Sequence, residues 1–158
     1  MDDVTIARAL HVLGVVVWIG GVAMVTMVLL PAVRRGDLGP NRLQVFEAIE
    51  RRFIWQARIA TILVALTGFY MTQRLGLWDR FQSAQFWWMH AMVCLWGLFT
   101  VVLFVVEPLV LHRWFHARAT EAPDTAFALL HRAHWLLLVL SVITILGAVA
   151  GSQGVSLF

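Results

Sequence analysis

The chain has 158 residues, of which 61% are hydrophobic and only 13% are charged, about half of the charged share of an average soluble domain. So few polar side chains cannot cover a globule, and much of the surface must therefore face something other than water. The formal net charge of +3 comes from arginines in the short segments between apolar runs. This distribution argues against nucleic acid as a partner.

Four apolar runs, with their flanks, supply the roughly 20 residues needed to cross a hydrocarbon core. Lipid offers the backbone no hydrogen-bond partner, so we predict a helix for each run. The predicted helices are residues 5–33, 52–74, 86–115 and 125–151, and residues 1–158 form a single all-α transmembrane domain. Short connections and an even number of crossings predict an up-down-up-down four-helix bundle. Glycines that would bring its helices close in lipid are Gly14, Gly21, Gly68, Gly97, Gly147 and Gly151.

The arginines also predict the orientation in the membrane. Nine of the twelve lie in or beside the first and third connections, and three lie on the opposite side. By the positive-inside rule those two connections are cytoplasmic and both termini are external, in a multi-pass protein of a bacterial inner membrane. The acidic start of the chain is unlike the basic opening of a cleaved signal peptide, so we expect the first helix to be retained.

A topology reporter tests this orientation. Fused after Phe158, the reporter should register as external, and inserted near Gly39 it should register as cytoplasmic. The opposite pattern would overturn the orientation, because the positive-inside rule depends on which connections hold the arginines.

Ionisable residues inside a bilayer are costly, so each one is a candidate functional residue. His11 lies about two turns into the first predicted helix from its external end. It shares a helix face with Trp18, and Pro31 interrupts this helix near its end. In the polar segment that follows, residues 34–50, apolar residues recur at helical spacing, which predicts an amphipathic lead-in on the cytoplasmic surface.

Arg58 in the second predicted helix and Glu107 in the third lie at similar depth near the cytoplasmic end. Leaving either charge unpaired there would cost about 2–3 kcal/mol or more, so we predict an ion pair between them. The pair can be purely structural; alternatively, Arg58 contacts a haem propionate or Glu107 carries a proton. Pro108, directly after Glu107, predicts a kink.

His90 lies about one turn into the third predicted helix from the external side, and it matches His11 in depth because the two helices run in the same direction. Two axial ligands of one membrane haem must face each other across the iron, so the match indicates a haem b site with His11 and His90 as its ligands. Gly97, on the face of His90, would leave room for a flat macrocycle. Arg74 or Arg80 at the external face could meet the propionates. Each histidine alone could instead hydrogen-bond a neighbouring helix.

A second group of histidines lies at the cytoplasmic end of the predicted third and fourth helices. Its members are His112, His116, His131 and His134. Histidines beside arginines at an interface are usually solvated, but His112 and His134 are close enough in depth to form a second haem site or a proton-input site. His134 lies deepest in the predicted bundle.

Sulfur-containing side chains raise a different possibility, because thioethers and thiolates favour Cu(I). The set consists of Met24, Met27, Met89, Met92 and Cys94. Methionine in a membrane helix more often serves packing, and a lone buried cysteine usually behaves as a small apolar side chain.

Several short motifs are shared with known membrane proteins. They are Leu10-His11 followed by Val16-Val17-Trp18-Ile19-Gly20-Gly21, Arg51-Arg52-Phe53 at the start of the second helix, and Leu66-Thr67-Gly68-Phe69 near its end. In these motifs the chain resembles two related families, the HemJ-type protoporphyrinogen oxidases and the CopD-type copper-resistance membrane proteins. The resemblance implies a small haem b membrane protein with His11 as an axial ligand.

The third helix departs from the HemJ pattern. That family typically opens this helix with Trp-Leu-His-x-Lys, whereas this chain has Trp88-Met89-His90-Ala91-Met92. Met92 thus replaces a lysine thought to assist haem binding and activity, which leaves the oxidase activity open. Family alignment points to Met92 as second ligand, whereas depth favours His90. The two are about 200° apart on the helix, so only one can face the first helix.

These observations favour a haem b-binding redox protein that passes electrons or oxidises a small lipophilic substrate such as a porphyrinogen or a quinol. Two alternatives stay open. One is copper(I) transport through the sulfur and histidine set. The other is an accessory subunit without chemistry of its own, in a homo-oligomer or a larger membrane complex.

Overall fold

The computed structural model describes residues 2–111, 114–115, 117–118 and 122–155. Most of these residues are helical, and no strand occurs among them. The described chain has four helices long and apolar enough to cross a membrane, which confirms the predicted all-α membrane class. His112, Arg113, His116 and Phe158, which entered the sequence predictions, lie outside the described residues.

The four helices are named α1 to α4 in chain order. Helix α1 spans Asp3–Arg35 and contains a π-helical segment at Val25–Leu29. Helix α2 spans Arg42–Arg74, and α4 spans Pro123–Ser152. Helix α3 comprises the α-helix Trp87–Val101 and the π-helix Val102–Leu111. Two short 3₁₀ helices, Leu77–Gln82 and Ala84–Phe86, lie between α2 and α3. The first and fourth helices are longer than predicted at both ends, by one or two residues. The second is longer only at its start.

Local signals explain both ends of α1. The Asp2 carboxylate accepts a hydrogen bond from the backbone N–H of Thr5 at 2.7 Å and caps the first turn. This hydrogen bond lowers the pKa of Asp2 below its ordinary value. At the other end Gly36 adopts a left-handed conformation with φ of 82°, which glycine tolerates without strain and which stops the helix.

Helix α2 differs from the prediction because it begins ten residues earlier, at Arg42 instead of residue 52. The expected amphipathic lead-in is the first part of one continuous helix, since no glycine or proline occurs between residues 42 and 67 to break it. Phe46, in this part, is fully buried, and its ring centroid lies 5.6 Å from that of Phe115 and 5.3 Å from that of Phe127. This segment therefore packs in the core of the bundle.

Contacts at the helix ends define two ends of the bundle. Asp3 at the start of α1 bonds Arg74 at the end of α2, and Trp88 at the start of α3 packs on Gly151 at the end of α4. We call this the terminal end, and the opposite end, where Arg34 lies, the arginine-rich end. The up-down-up-down topology and the orientation in a membrane stay predictions.

Glycine packing joins the helices in two pairs. In α1, Gly14 lies against Val64 and Gly21 against the ring of Phe53, both on α2. In α4, Gly147 and Gly151 lie under two tryptophan rings of α3. These contacts bear out the predicted role of small residues in close helix packing. Gly97 is the exception, because a Cβ there would meet no described atom within 4 Å.

Candidate functional site

His11 of α1 packs against α2 through a specific hydrogen bond. Its Nδ1 lies 3.0 Å from Oγ1 of Thr67. The single hydroxyl proton of Thr67 points to backbone carbonyls of its own helix, 2.7 Å from the Leu63 oxygen and 3.2 Å from the Val64 oxygen. With the hydroxyl proton directed at these carbonyls, Oγ1 accepts from the Nδ1–H of His11, and in that tautomer a neutral His11 keeps its lone pair on Nε2.

The His11 ring lies directly against the backbone of α2. A Cβ on Gly68 would lie 3.2 Å from Cε1 of His11, so any larger residue would press on the imidazole. The ring is half-buried. Thr67 and Gly68 thus fix both the tautomer and the position of the imidazole, an arrangement typical of metal-ligating histidines, whose other ring N–H is held by a hydrogen-bond acceptor.

His90 has different partners. Its Nε2 lies 2.9 Å from the carbonyl oxygen of Phe81, and its Nδ1 lies 3.4 Å from that of Phe86. A carbonyl only accepts, so Nε2 carries the proton and donates to Phe81. His90 therefore holds the connection between α2 and α3 onto the start of α3. Among the described residues no hydrogen bond or ring contact joins His90 to His11, and their joint ligation of one haem stays a prediction.

The corner around His90 is an open groove of about 440 Å³. It is lined by Phe81, Gln82, Ser83, Ala84, Trp87 and His90. The rings of Phe81 and His90 meet edge to face, with centroids 5.5 Å apart. The groove lies at the terminal end, beside the tryptophans that open α3.

The two arginines proposed to meet propionates at the external face, Arg74 and Arg80, have separate contacts. Arg74 donates to Oδ2 of Asp3 from Nε at 3.1 Å and from Nη2 at 2.8 Å. It follows Thr67 by seven residues, so it lies on the same face of α2, about 10 Å nearer the terminal end. The guanidinium of Arg80 lies over the ring of Phe86, 4.9 Å from its centroid. Only Arg74 therefore shares a helix face with the contacts of His11.

The predicted ion pair between Arg58 and Glu107 is confirmed. Nη2 of Arg58 lies 2.7 Å from Oε2 of Glu107, and the two side chains are 19% and 18% exposed. Arg58 also donates to the carbonyl oxygen of Leu103, from Nε at 3.0 Å and from Nη2 at 2.8 Å. With these donors engaged at the arginine-rich end, Arg58 is distant along α2 from the contacts of His11, and its geometry favours the structural role over a propionate contact.

Of the two histidines on α4, His131 forms hydrogen bonds to another helix, and His134 forms one within its own helix. His134, expected to matter most, places Nδ1 3.0 Å from the carbonyl oxygen of Leu130 in its own helix. His131 instead reaches α1: its Nδ1 lies 2.9 Å from Nη1 of Arg34, and its Nε2 lies 2.9 Å from the carbonyl oxygen of Thr26. Because arginine only donates, Nδ1 accepts and Nε2–H donates to Thr26.

Trp135 also approaches Nε2 of His131, with its Nε1 at 3.0 Å. An N–H cannot donate to a nitrogen that carries its own hydrogen, so this contact and the bond to Thr26 exclude each other. We favour the bond to Thr26, since an arginine already fixes the tautomer. Sequence reading included His131 in the second histidine group but did not predict its contact with α1, although Pro31, five residues after Thr26, signals a carbonyl that needs a partner.

The side chains of the sulfur set differ in their exposure. Met24 and Met27 are exposed on α1, Met89 is buried, Met92 is half-buried and Cys94 is exposed on α3. The described residues also hold no group of three or more histidine, cysteine, aspartate or glutamate side chains that could bind a metal ion. A copper path through this set gains no support from these positions.

The indole N–H of Trp18 is buried and has no hydrogen-bond partner among the described residues. The side chain is 3% exposed. Trp96 on α3, by contrast, donates to the carbonyl oxygen of Thr61 at 3.1 Å. Buried indole N–H groups usually find a partner. Since Trp18 follows His11 by seven residues, the unpaired N–H lies on the His11 face of α1.

Comparison of the chain with protein-family models, with curated proteins and with solved structures finds no match. The functional argument therefore depends on the contacts described above.

Proposed function

We propose that this chain is a haem b-binding membrane redox protein in which Nε2 of His11 binds the iron. The hydrogen bond from Nδ1–H of His11 to Thr67, at 3.0 Å, is the observation that carries the proposal. It holds an imidazole inside an apolar bundle in the tautomer that leaves Nε2 free for a metal. When bound, haem would supply one-electron exchange, for electron transfer or for oxidation of a lipophilic substrate such as a porphyrinogen or a quinol.

The residues around His11 each contribute to such a site. Thr67 orients the ring and raises the basicity of Nε2 by accepting its other N–H. Gly68 lets the ring lie against α2. Arg74 lies toward the terminal end on the same face of α2 and offers positive charge to a propionate. The buried N–H of Trp18 has no partner among the residues that the structure describes, so an acceptor on a group bound at this face of α1 would satisfy it.

The proposal assigns His11 alone as a protein ligand. His90 could serve as the second ligand only if its Nε2 gave up the hydrogen bond to Phe81. Met92 is half-buried on α3, and no described contact places it near His11. Both remain predictions that spectroscopy distinguishes. We further propose that the protein spans a bacterial inner membrane with both termini external, in line with the arginine distribution.

Spectroscopy of the protein purified from haem-replete cells tests the proposal. Oxidised and dithionite-reduced spectra should show a Soret band and a b-type α-band, and His11→Ala should remove most of the haem. Thr67→Val, which keeps the shape but loses the acceptor, should weaken haem retention about 10- to 100-fold. Thr144→Val is the matched control for Thr67→Val, because the Thr144 hydroxyl donates to the Leu140 carbonyl of its own helix, and it should keep normal haem content.

The same spectra decide the second ligand. If His90 binds iron, His90→Ala changes a low-spin spectrum to high-spin; if Met92 does, the wild type shows a thioether-to-iron band that Met92→Leu removes. A colourless wild-type preparation with no extractable haem would refute the proposal. In that case the copper and accessory-subunit alternatives would be tested next, beginning with Cu(I) binding.

A further inference from the structure

Helices α1 and α3 each contain a π-helical segment with a proline inside it or close after it, near the arginine-rich end. In α1 the segment is Val25–Leu29 and the proline is Pro31. In α3 the segment is Val102–Leu111, and Pro108 lies inside it. A proline ring clashes with the carbonyl four residues before it, and a π turn widens the helix enough to relieve that clash.

In α1 the widening leaves one carbonyl without a backbone partner. The N–H of Leu30 donates to the carbonyl of Val25, five residues earlier. The next bond of the same spacing would join Thr26 to residue 31, but Pro31 has no N–H. The Thr26 carbonyl is capped from another helix, by Nε2–H of His131 at 2.9 Å.

In α3 the carbonyl of Leu103 lacks a backbone partner for the same reason. Its π-helical partner would be the N–H of residue 108, which is again a proline. Arg58 of α2 donates two hydrogen bonds to this carbonyl, at 3.0 and 2.8 Å. Each proline therefore removes the partner of the carbonyl five residues before it, and in each case a side chain from a neighbouring helix replaces that partner.

Each capping side chain also bonds a charged residue on the helix that it caps. Arg58 pairs with Glu107, directly before Pro108. His131 accepts from Arg34, three residues after Pro31. His131 therefore bonds α1 on both sides of its proline, at Thr26 before it and at Arg34 after it. A proline breaks the hydrogen-bond ladder that would stiffen the helix there, so this cross-helix bridge replaces the missing internal support.

We propose that Pro31 and Pro108 are hinges in α1 and α3, and that His131 and Arg58 are the side chains that hold these hinges closed. An uncapped carbonyl is costly where water is scarce, so the closed form is stable while the cap is in place. Without the cap, the Thr26 carbonyl needs water or another donor, and a bend at Pro31 that admits one must also shift Val33, which is buried just beyond the proline. The arginine-rich ends of the two helices are therefore the parts of the bundle that can move.

The first test combines each cap variant with removal of its proline. His131→Leu should lower the thermal stability of the full chain in detergent when Pro31 is present. In a Pro31→Ala background, residue 31 regains an N–H, and His131→Leu should then have a much smaller effect. The same non-additivity is expected for Arg58→Met with Pro108→Ala. His134→Leu is the matched control, since its effect should not depend on residue 31.

The second test measures movement directly. Spin labels on Asp37→Cys and Thr125→Cys, in a Cys94→Ser background, report the distance between the end of α1 and the start of α4. His131→Leu should broaden this distance distribution, Pro31→Ala should narrow it again, and His131→Gln, which keeps one N–H donor, should stay near wild type.

Two results would overturn the inference. One is an unchanged distance distribution in folded His131→Leu. The other is equal destabilisation by His131→Leu with and without Pro31, which would mean that His131 only packs. If His131→Leu fails to fold, recovery of folding by Pro31→Ala supports the hinge, and failure of that double variant to recover counts against it.

Discussion

Gly21→Ala should destabilise the bundle by about 1–3 kcal/mol, the usual cost of forcing extra volume into a packed core, whereas Gly20→Ala should be nearly silent. A Cβ on Gly21 would lie 2.9 Å from Cδ2 of Phe53 and nearer still to Cε2. Phe53 packs against both hydrophobic clusters of the bundle, so its ring has little room to withdraw. A Cβ on Gly20 would meet no described atom within 4 Å.

The free energy of unfolding in a denaturing-detergent titration measures both variants. Because the two glycines are neighbours on one helix, differences in helix propensity cancel, and the contrast reports only the contact with Phe53. Adding Phe53→Leu to Gly21→Ala should restore part of the loss by making room for the new methyl group. Equal effects of the two alanine substitutions would show that α1 and α2 pack elsewhere.

Arg58→Met should cost about 3–5 kcal/mol of unfolding free energy, the usual penalty for removing one partner of a buried ion pair. The change leaves the Glu107 carboxylate, 18% exposed, without its partner and removes both donors from the Leu103 carbonyl. Arg58→Met with Glu107→Met should cost less than Arg58→Met alone, because no charge is then left unpaired. The same detergent titration gives all three values.

Arg52→Met is the matched control for this prediction. Arg52 lies on the same helix and is exposed, and surface substitutions usually change stability by no more than about 0.5 kcal/mol. A loss at Arg58 as small as that at Arg52 would mean that water reaches the pair freely. A double methionine variant that is worse than Arg58→Met would show that Glu107 stabilises the fold through another contact.

Hydropathy and charge were sufficient to predict the helices and one buried contact. The apolar runs predicted four membrane-length helices because the backbone has no other way to satisfy its hydrogen bonds in lipid. The Arg58–Glu107 pair followed from the same reasoning, since two charges at one depth have few alternatives to each other. Both arguments depend only on position along the membrane normal, which a sequence determines well.

Rotation of the helices was harder to predict. The depth of His11 and His90 suggested that they face each other, but their contacts depend on the direction in which each side chain points around its helix. His11 meets Thr67 and His90 meets Phe81. A threonine in an apolar run and a carbonyl in a loop give no periodic signal. The π turn of α1 hid the contact between His131 and Arg34 in a similar way, because it shifts the helical phase of the α1 residues beyond it.

The length of α2 affects how the protein accommodates bilayers of different thickness. Its 33 residues make a rod of about 50 Å, whereas a typical hydrocarbon core measures about 30 Å. An ordinary tilt of about 20° shortens the projected length only slightly, so a few turns at the arginine-rich end must lie among headgroups or in water. Phe46, in those turns, packs on other parts of the protein and not on lipid. A thicker membrane would therefore have to cover the exposed Arg51 and Arg52 of α2, which is costly, whereas a thinner one must first expose the apolar flanks of α1, α3 and α4.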